Sequence, residues 1–309
     1  MVASFGSDPE FLLVDEKGKP KSAIGIMPNE ECPVEKDGNL YYYDNVLAEC
    51  TVKPGSTKEE VLNNFRSALK GYAEVVRPYR LTTRASAEFS KEELSSPEAL
   101  RAGCAPDNCA YTMRMCKPPK KQFQNGTLRS CGGHIHLGEN FAVKNEEGPE
   151  PIFVIYMMDL FLGIPSLFMD NDPTSQARRS LYGQAGRYRK KAYGVEYRSL
   201  GNFWLQSPTF VSTIYDLSMF VVKFVEEGHV NKYWSFDEEL FYEADDLSEA
   251  FKCVGYDAEA LKRAIDTSDK EAAKPFLKLA KSHLPMNLAK AITNLSRTSP
   301  KDLYDEWNL

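Results

Sequence analysis

The chain has 309 residues, of which 42% are hydrophobic and 27% charged, and its formal net charge is −6. That length and composition suit a globular chain with a substantial core, and the acidic balance excludes a generic nucleic-acid surface while leaving room for a local basic pocket. Seven cysteines without a CxxC pair argue against a zinc ribbon and point to reduced thiols in a cytoplasm.

In chain order, Met1 to Gly6 carries neither a charged n-region nor an apolar h-region, so no secretory leader is expected. Residues 8–14 read as a strand, Lys17-Gly18-Lys19-Pro20 as a turn, and 40–51 as a second strand ending at Pro54-Gly55. Ser56 stands three residues before Glu59, the pattern of a capping box, and predicts a helix to Val76. Val61, Leu62, Phe65, Leu69, Tyr72 and Val76 would form its buried face. A strand near 80–87 precedes a long irregular region, 90–129, rich in Pro, Cys and Lys. Residues 131–138 read as a strand. The apolar stretch 152–169 is broken by Asp159, Gly163 and Pro165, which fits a buried helix better than a membrane span. A basic segment at 173–194 follows, then a second apolar helix at 208–226. From about Leu247 the pattern turns to short charged amphipathic helices at 258–266, 270–282 and 286–294. The expected division is a catalytic domain over 1–245 and a helical appendage over 246–309.

Three short segments each place two polar side chains two residues apart, which on a strand means one face. They are Asp8 and Glu10, His134 and His136, and Glu196 and Arg198. Asp8, Glu10, Glu49 and Glu196 all lie in apolar strand-like runs. Burying such carboxylates unpaired is costly, and divalent cations with oxygen ligands relieve the cost. A solvated face of half-exposed strands is the competing explanation. Asn45, Leu47 and Glu49 share a face, which favours Asn45 over Asp44 as a neighbour of that site.

His134 and His136 sit in Cys131-Gly132-Gly133-His134-Ile135-His136-Leu137-Gly138, where the glycines mark close approach by a ligand or by another backbone. The remaining histidines, His229 and His283, lie far along the chain, which weakens a three-histidine zinc site. Residues 178–191 hold six positive charges in 14 residues. Arg178, Arg179, Arg187 and Arg189 bring planar guanidinium forks suited to phosphate or carboxylate, against the alternative of a solvated basic loop. No GxxxxGK[ST] or strand-linked GxGxxG is present, which disfavours P-loop and Rossmann nucleotide binding. Cys104, Cys109, Cys116 and Cys131 are irregularly spaced and read as structural thiols. Asp107 belongs to a substrate loop or to a simple turn.

The order acid-x-acid, strand glutamate, G-G-H-x-H and E-x-R resembles the glutamine synthetase and glutamate–cysteine ligase superfamily of carboxylate–amine ligases. It resembles more closely the phage-encoded COOH.NH2 ligase type 2 amidoligases. The carrying lines are Gly6-Ser7-Asp8-Pro9-Glu10-Phe11, Tyr43-Asp44-Asn45-Val46-Leu47-Ala48-Glu49, Gly132 to Gly138 and Tyr193 to Gly201, and the likeness spans about 4–225. It implies an α+β fold: a curved antiparallel sheet of glutamine synthetase type carrying the site, backed by helices.

The resemblance also implies metal ligands at Asp8, Glu10, Glu49, His134 and Glu196, and a nucleotide-phosphate contact at His136. It makes Arg198 a phosphate-binding catalytic residue, joined by Arg187 and Arg179, with Arg178 and Arg189 as further phosphate or carboxylate contacts. ATP and Mg²⁺ or Mn²⁺ would serve an amide-forming reaction between a small-molecule or peptide carboxylate and an amine. The expected setting is a cytoplasm (that of a bacterial host if phage-encoded), with no membrane partner and homo-oligomerisation open. Loop 90–129 is the expected lid. The chain departs from glutamine synthetase in opening with Asp8 rather than glutamate, and no second glutamate follows Glu49 closely. A guanidino-kinase-like phosphotransferase, a metal-dependent hydrolase or nuclease, and a non-catalytic binding module are the rival classes.

Overall fold

The structure is a computed structural model, and it describes residues 2–100, 106–117, 126–145, 147–299 and 301–309. The strand predicted over 8–14 is β2 (Glu10–Val14), and a strand not assigned from the sequence, β1 (Ser4–Ser7), precedes it. Pro9 between them has no N–H to give to a ladder, so the chain jogs at Asp8-Pro9 and changes neighbours. The second predicted strand is a hairpin, β3 (Asn39–Asp44) and β4 (Leu47–Gly55), turning at Asn45 with φ of 55°.

Helix α1 (Lys58–Val75) opens one residue later than the Ser56–Glu59 box predicts: Thr57 caps it, and the Glu60 carboxylate accepts from the Thr57 N–H at 3.2 Å. The S/T-x-x-E pattern fits both registers. The turn into the observed register is tight, since a Cβ at Gly55 would lie 2.9 Å from the Glu60 Cβ.

The rest of the sheet comes from β5 (Asp107–Cys109), β6 (Ile135–Gly138), β7 (Arg187–Lys191) and β8 (Gly194–Tyr197). Among the described residues the sheet has twelve strands, and its central order is β5-β7-β8-β6-β1-β4-β2 with β3 beside β4. Every ladder along that order is antiparallel. The fold is therefore α+β, a large antiparallel sheet backed by helices.

Alternate residues face the helices. Phe5 of β1 meets Phe65 of α1 edge-on at 6.5 Å, and Tyr41 of β3 meets Tyr72 of α1 at 5.3 Å. The apolar stretch predicted as one helix over 152–169 is α2 (Glu150–Met158), a π turn over Asp159–Gly163, and α3 (Ile164–Met169). Pro165 offers no N–H to the helical ladder, and the Ile164 N–H bonds the Asp159 carbonyl five residues back. The widened turn leaves the buried Asp159 side chain accepting from Tyr197 at 2.6 Å and from Tyr111 at 3.0 Å. Helix α4 (Ser175–Leu181) leads from α3 to β7, and α5 (Pro208–Glu226) lies against α1 and α2.

The C-terminal helices α6 (Ala258–Asp266), α7 (Lys270–His283), α8 (Met286–Leu295) and α9 (Leu303–Trp307) contribute to the same hydrophobic core as the sheet-backing helices. Trp307 is 1% exposed and its Nε1–H donates to the Leu205 carbonyl at 2.8 Å. Trp307→Ala is expected to cost about 3–5 kcal/mol of the stability of the whole fold. Urea unfolding followed by far-UV circular dichroism would read this as one transition moved to lower denaturant. A main transition left in place would show that the tail folds apart from the sheet.

Candidate active site

The other face of the sheet carries polar side chains, aligned by strand register. His136 lies directly opposite Glu196, and Glu196 directly opposite Arg189, so β6, β8 and β7 present one row. Gly6 of β1 is opposite His136 on the other side. Glu10 is opposite Glu49, and Glu49 opposite Tyr42, forming a second row across β2, β4 and β3. Asp44 is two residues beyond Tyr42 and joins this row. Asp8, at the jog between β1 and β2, stands between the rows. Its Oδ1 lies 2.9 Å from His134 Nδ1 and 3.0 Å from His136 Nε2.

Two groups of three side chains have ligand atoms within 4.8 Å of one another: Asp8, His136 and Glu196, and Glu10, Asp44 and Glu49. His134 is in neither group: its Nδ1 lies 2.9 Å from Asp8 and 3.6 Å from Glu196, and its Nε2 meets the Tyr182 hydroxyl at 3.0 Å. His136 meets Tyr193 through Nδ1 at 2.8 Å, and its buried Nε2 makes no hydrogen bond of good geometry.

Cations line the β7 side. Lys191 Nζ is 3.0 Å from Glu196, Arg189 is 3.7 Å from it, and Arg198 pairs directly with it. Arg187 Nη2 contacts Asp107 at 2.8 Å, and Arg198 Nε is 3.5 Å from the same carboxylate. Asp107 thus enters the site on β5 as the partner of two arginines.

The electrostatics follow from burial of unlike and like charges together. Burial acts to raise Asp8, but His136 and His134 outweigh it and hold the carboxyl well below its ordinary 3.8. Burial and then Asp44 push Glu10 up to about 7, against the pull of Arg198. Burial and then Glu30 push Asp44 up to about 6, and burial with Asp8 and Glu10 drives Glu49 well above the usual range. Burial and then Arg198 press His134 down to about 3, so its ring is neutral. Like carboxylates this close favour shared protons or a cation.

Two of the expected arginines are elsewhere. Arg178 is fully buried behind the site and donates to the carbonyls of Cys131 at 2.5 Å, Ser199 at 3.0 Å and Leu200 at 2.7 Å, stapling the glycine-rich loop to the segment after β8. Arg179 points toward α6 and donates to the Ile265 carbonyl at 3.2 Å. Both sit on helix α4, which faces inward, whereas Arg187 and Arg189 alternate out of β7.

Asn45 is also misplaced by the sequence argument. At the hairpin turn its amide donates to the Glu98 and Ala99 carbonyls, and Asp44 takes the position in the site. Gly133 answers to backbone and not to a ligand, since a Cβ there would lie 2.4 Å from the Gly201 carbonyl oxygen. Cys109 and Cys131 are buried and Cys116 is half-buried. Cys104 lies outside the described residues, as do 101–105 and 118–125 of the expected lid.

Asp44, Lys191, Tyr182 and Tyr193 were not singled out from the sequence. Alternation counted from Tyr42 would have found Asp44, and alternation from Arg189 would have found Lys191. The two tyrosines come from loops and left no periodic signal.

The class defined by this fold and site is an α+β protein with a carboxylate, imidazole and arginine centre on the open face of an antiparallel sheet. Residues 111–298 match the family of phage phiEco32-like COOH.NH2 ligases, type 2. That is more than half of the chain, and the chain belongs to this family. The matched region includes the His136, Arg189, Lys191, Glu196 and Arg198 half of the site, and the structure brings Asp8, Glu10, Asp44 and Glu49 to it from outside. No curated protein and no solved structure matches the chain.

A buried acid whose native pKa exceeds its unfolded value binds more protons when folded, so its contribution to stability falls as pH rises between the two values. For Glu10 that window runs from 4.5 to about 7. In metal-free protein, Glu10→Gln is therefore expected to gain on the wild type by about 3 kcal/mol across it. Denaturant midpoints at pH 4.5 and 7.5 with chelator measure the gap, and a gap independent of pH would refute the assignment.

Proposed function

We propose that the chain is an ATP-dependent carboxylate–amine ligase that forms an amide through an acyl phosphate on a glutamine-synthetase-like fold. The observation that carries this reading is the adjacency of two three-ligand groups and a bank of four cations on one sheet face. The donor set fits hard divalent cations: five carboxylates and one imidazole. His136 Nε2 is buried without a hydrogen bond of good geometry, as expected for an atom placed to receive an ion, and the Glu196 carboxylate beside it is shared with Lys191, Arg189 and Arg198.

Asp8, His136 and Glu196 would hold one cation, and Glu10, Asp44 and Glu49 a second. In this assignment His136 replaces His134 as the imidazole ligand. Mg²⁺ or Mn²⁺ held there would supply positive charge beside the β- and γ-phosphates of ATP. Tyr193 would orient His136 from behind, as outer partners of ligating histidines do.

The protein's own cations have a separate task. Arg187, Arg189, Lys191 and Arg198 face the site and would bind the phosphates and offset charge in the transferring phosphoryl group. Asp107 and Glu196 hold those side chains in place, so little ordering is left for the moment of reaction. A substrate carboxylate oxygen attacks the γ-phosphorus and the bond to ADP breaks. A neutral amine then attacks the acyl carbon, inorganic phosphate leaves, and the amine proton passes to solvent. Water must be kept from the acyl phosphate, which favours a covered site.

The test is release of ADP from Mg²⁺-ATP across a panel of acids and amines, with Glu196→Gln as control. ADP formed only when acid and amine are both present, with a loss of at least about 10²-fold in the variant, is the expected result. Nucleotide consumption without amide would favour phosphotransfer. No turnover on any pair, with no nucleotide-dependent thermal shift, would overturn the reading.

A further inference from the structure

Asp8 stands outside both flanking strands, at the Asp8-Pro9 jog, so no ladder hydrogen bond fixes its side chain. Its carboxylate is aimed by side chains alone. On one side is His136, a proposed cation ligand. On the other is His134, whose own main chain is tied to the neighbouring residue: the Ser7 hydroxyl donates to the His134 carbonyl at 2.6 Å. The far nitrogen of His134 meets the Tyr182 hydroxyl at 3.0 Å. A chain of contacts thus runs from Tyr182 through His134 to Asp8.

That chain is built into the local backbone. Tyr182 caps helix α4, with its N–H on the Arg178 carbonyl at 2.8 Å, and it is 6% exposed. The Arg178 guanidinium lies 5.4 Å from its ring centroid and that of Arg198 5.1 Å. Arg178 is itself held by four carbonyls. Gly183, at φ of 79°, leaves room for that guanidinium, since a Cβ there would lie 1.9 Å from Arg178 Nη1. Gly132 leaves room for the imidazole, since a Cβ there would lie 2.2 Å from His134 Nε2.

We infer that Tyr182 is a positioning residue: its hydroxyl donates to His134 Nε2, holds the ring in the Nδ1–H form, and so aims the Asp8 carboxylate at the cation site it shares with His136 and Glu196. The direction follows from the ends of the chain. A carboxylate only accepts, so Nδ1 carries the proton, and Nε2 is left as the acceptor for the phenol. This inference rests on the cation assignment made above, and it makes His134 a partner of a ligand rather than a ligand.

The first measurement is a long-range ¹H–¹⁵N spectrum of metal-free protein at pH 7, with the His134 signals assigned through His134→Gln. The Nδ1–H form is expected in the wild type, and loss of that single form in Tyr182→Phe, which keeps the ring and removes one oxygen. A proton on Nε2 in the wild type overturns the inference. The second is Mn²⁺ binding by calorimetry, where Glu196→Gln is expected to remove one of the two sites, that of Asp8, His136 and Glu196, and Tyr182→Phe to weaken that same site about 10–100-fold. If Glu196→Gln removes that site and Tyr182→Phe binds as the wild type does, the positioning role fails and the cation site stands. If the wild type binds no Mn²⁺, the cation assignment and this inference fall together.

Discussion

The antiparallel register of β1, β6, β8 and β7 is the constraint on which the rest depends. It places His136 opposite Glu196 and Glu196 opposite Arg189, with the bare Gly6 beside them. A slip of one residue in any of these ladders would exchange the two faces of that strand. Leu137 and Val195 would then point at the site, and the imidazole and carboxylate would be driven among the aromatic rings of α1 and α2. Burial of Ile135, Leu137, Val195 and Tyr197 against the helices therefore holds the polar row on the opposite face. The apolar side of each strand is what aims its chemical side.

A face so loaded with charge needs compensation, and the compensation is uneven. On the β7 side each carboxylate has cations: Glu196 meets Lys191, Arg189 and Arg198, and Asp107 meets Arg187 and Arg198. On the β2–β4 side Glu10, Asp44 and Glu49 face one another, and burial raises all three, aided by Asp44 at Glu10, by Glu30 at Asp44 and by Asp8 and Glu10 at Glu49. Asp8 stands between these halves and is held low by two imidazoles. This polarity, cationic at one end and proton-sharing acid at the other, is the property a polyanionic nucleotide with divalent cations would neutralise.

Much of the site was legible because its residues follow period two in short runs that form strands or lead directly into them. His134 and His136, Glu196 and Arg198, and Asp8 and Glu10 each sit on short apolar runs where alternation is easily seen. The errors came where alternation stops. At Asn45 the hairpin turn adopts a left-handed backbone, so counting back from Glu49 named the wrong neighbour and Asp44 was passed over. Arg178 and Arg179 look like their neighbours Arg187 and Arg189 in a basic run, but they lie on a helix that faces inward and meets main-chain carbonyls. The overlapping Ser56–Glu59 and Thr57–Glu60 boxes are equal as patterns, and the folded chain uses the second.

The sequence by itself determined the local vocabulary: which runs are strands or helices, which faces are apolar, and which positions carry carboxylate, imidazole or guanidinium. These follow from periodicity and side-chain chemistry, which are properties of neighbours along the chain. Only the tertiary structure decided which of those groups meet. Asp8 reaches His134 across 126 residues and Glu10 bonds the Gly132 N–H across 122, and no spacing rule spans such distances. The placement of His136 beside Glu196 and of His134 beside the Tyr182 hydroxyl arises the same way, from strand register and the space left at Gly132 and Gly183.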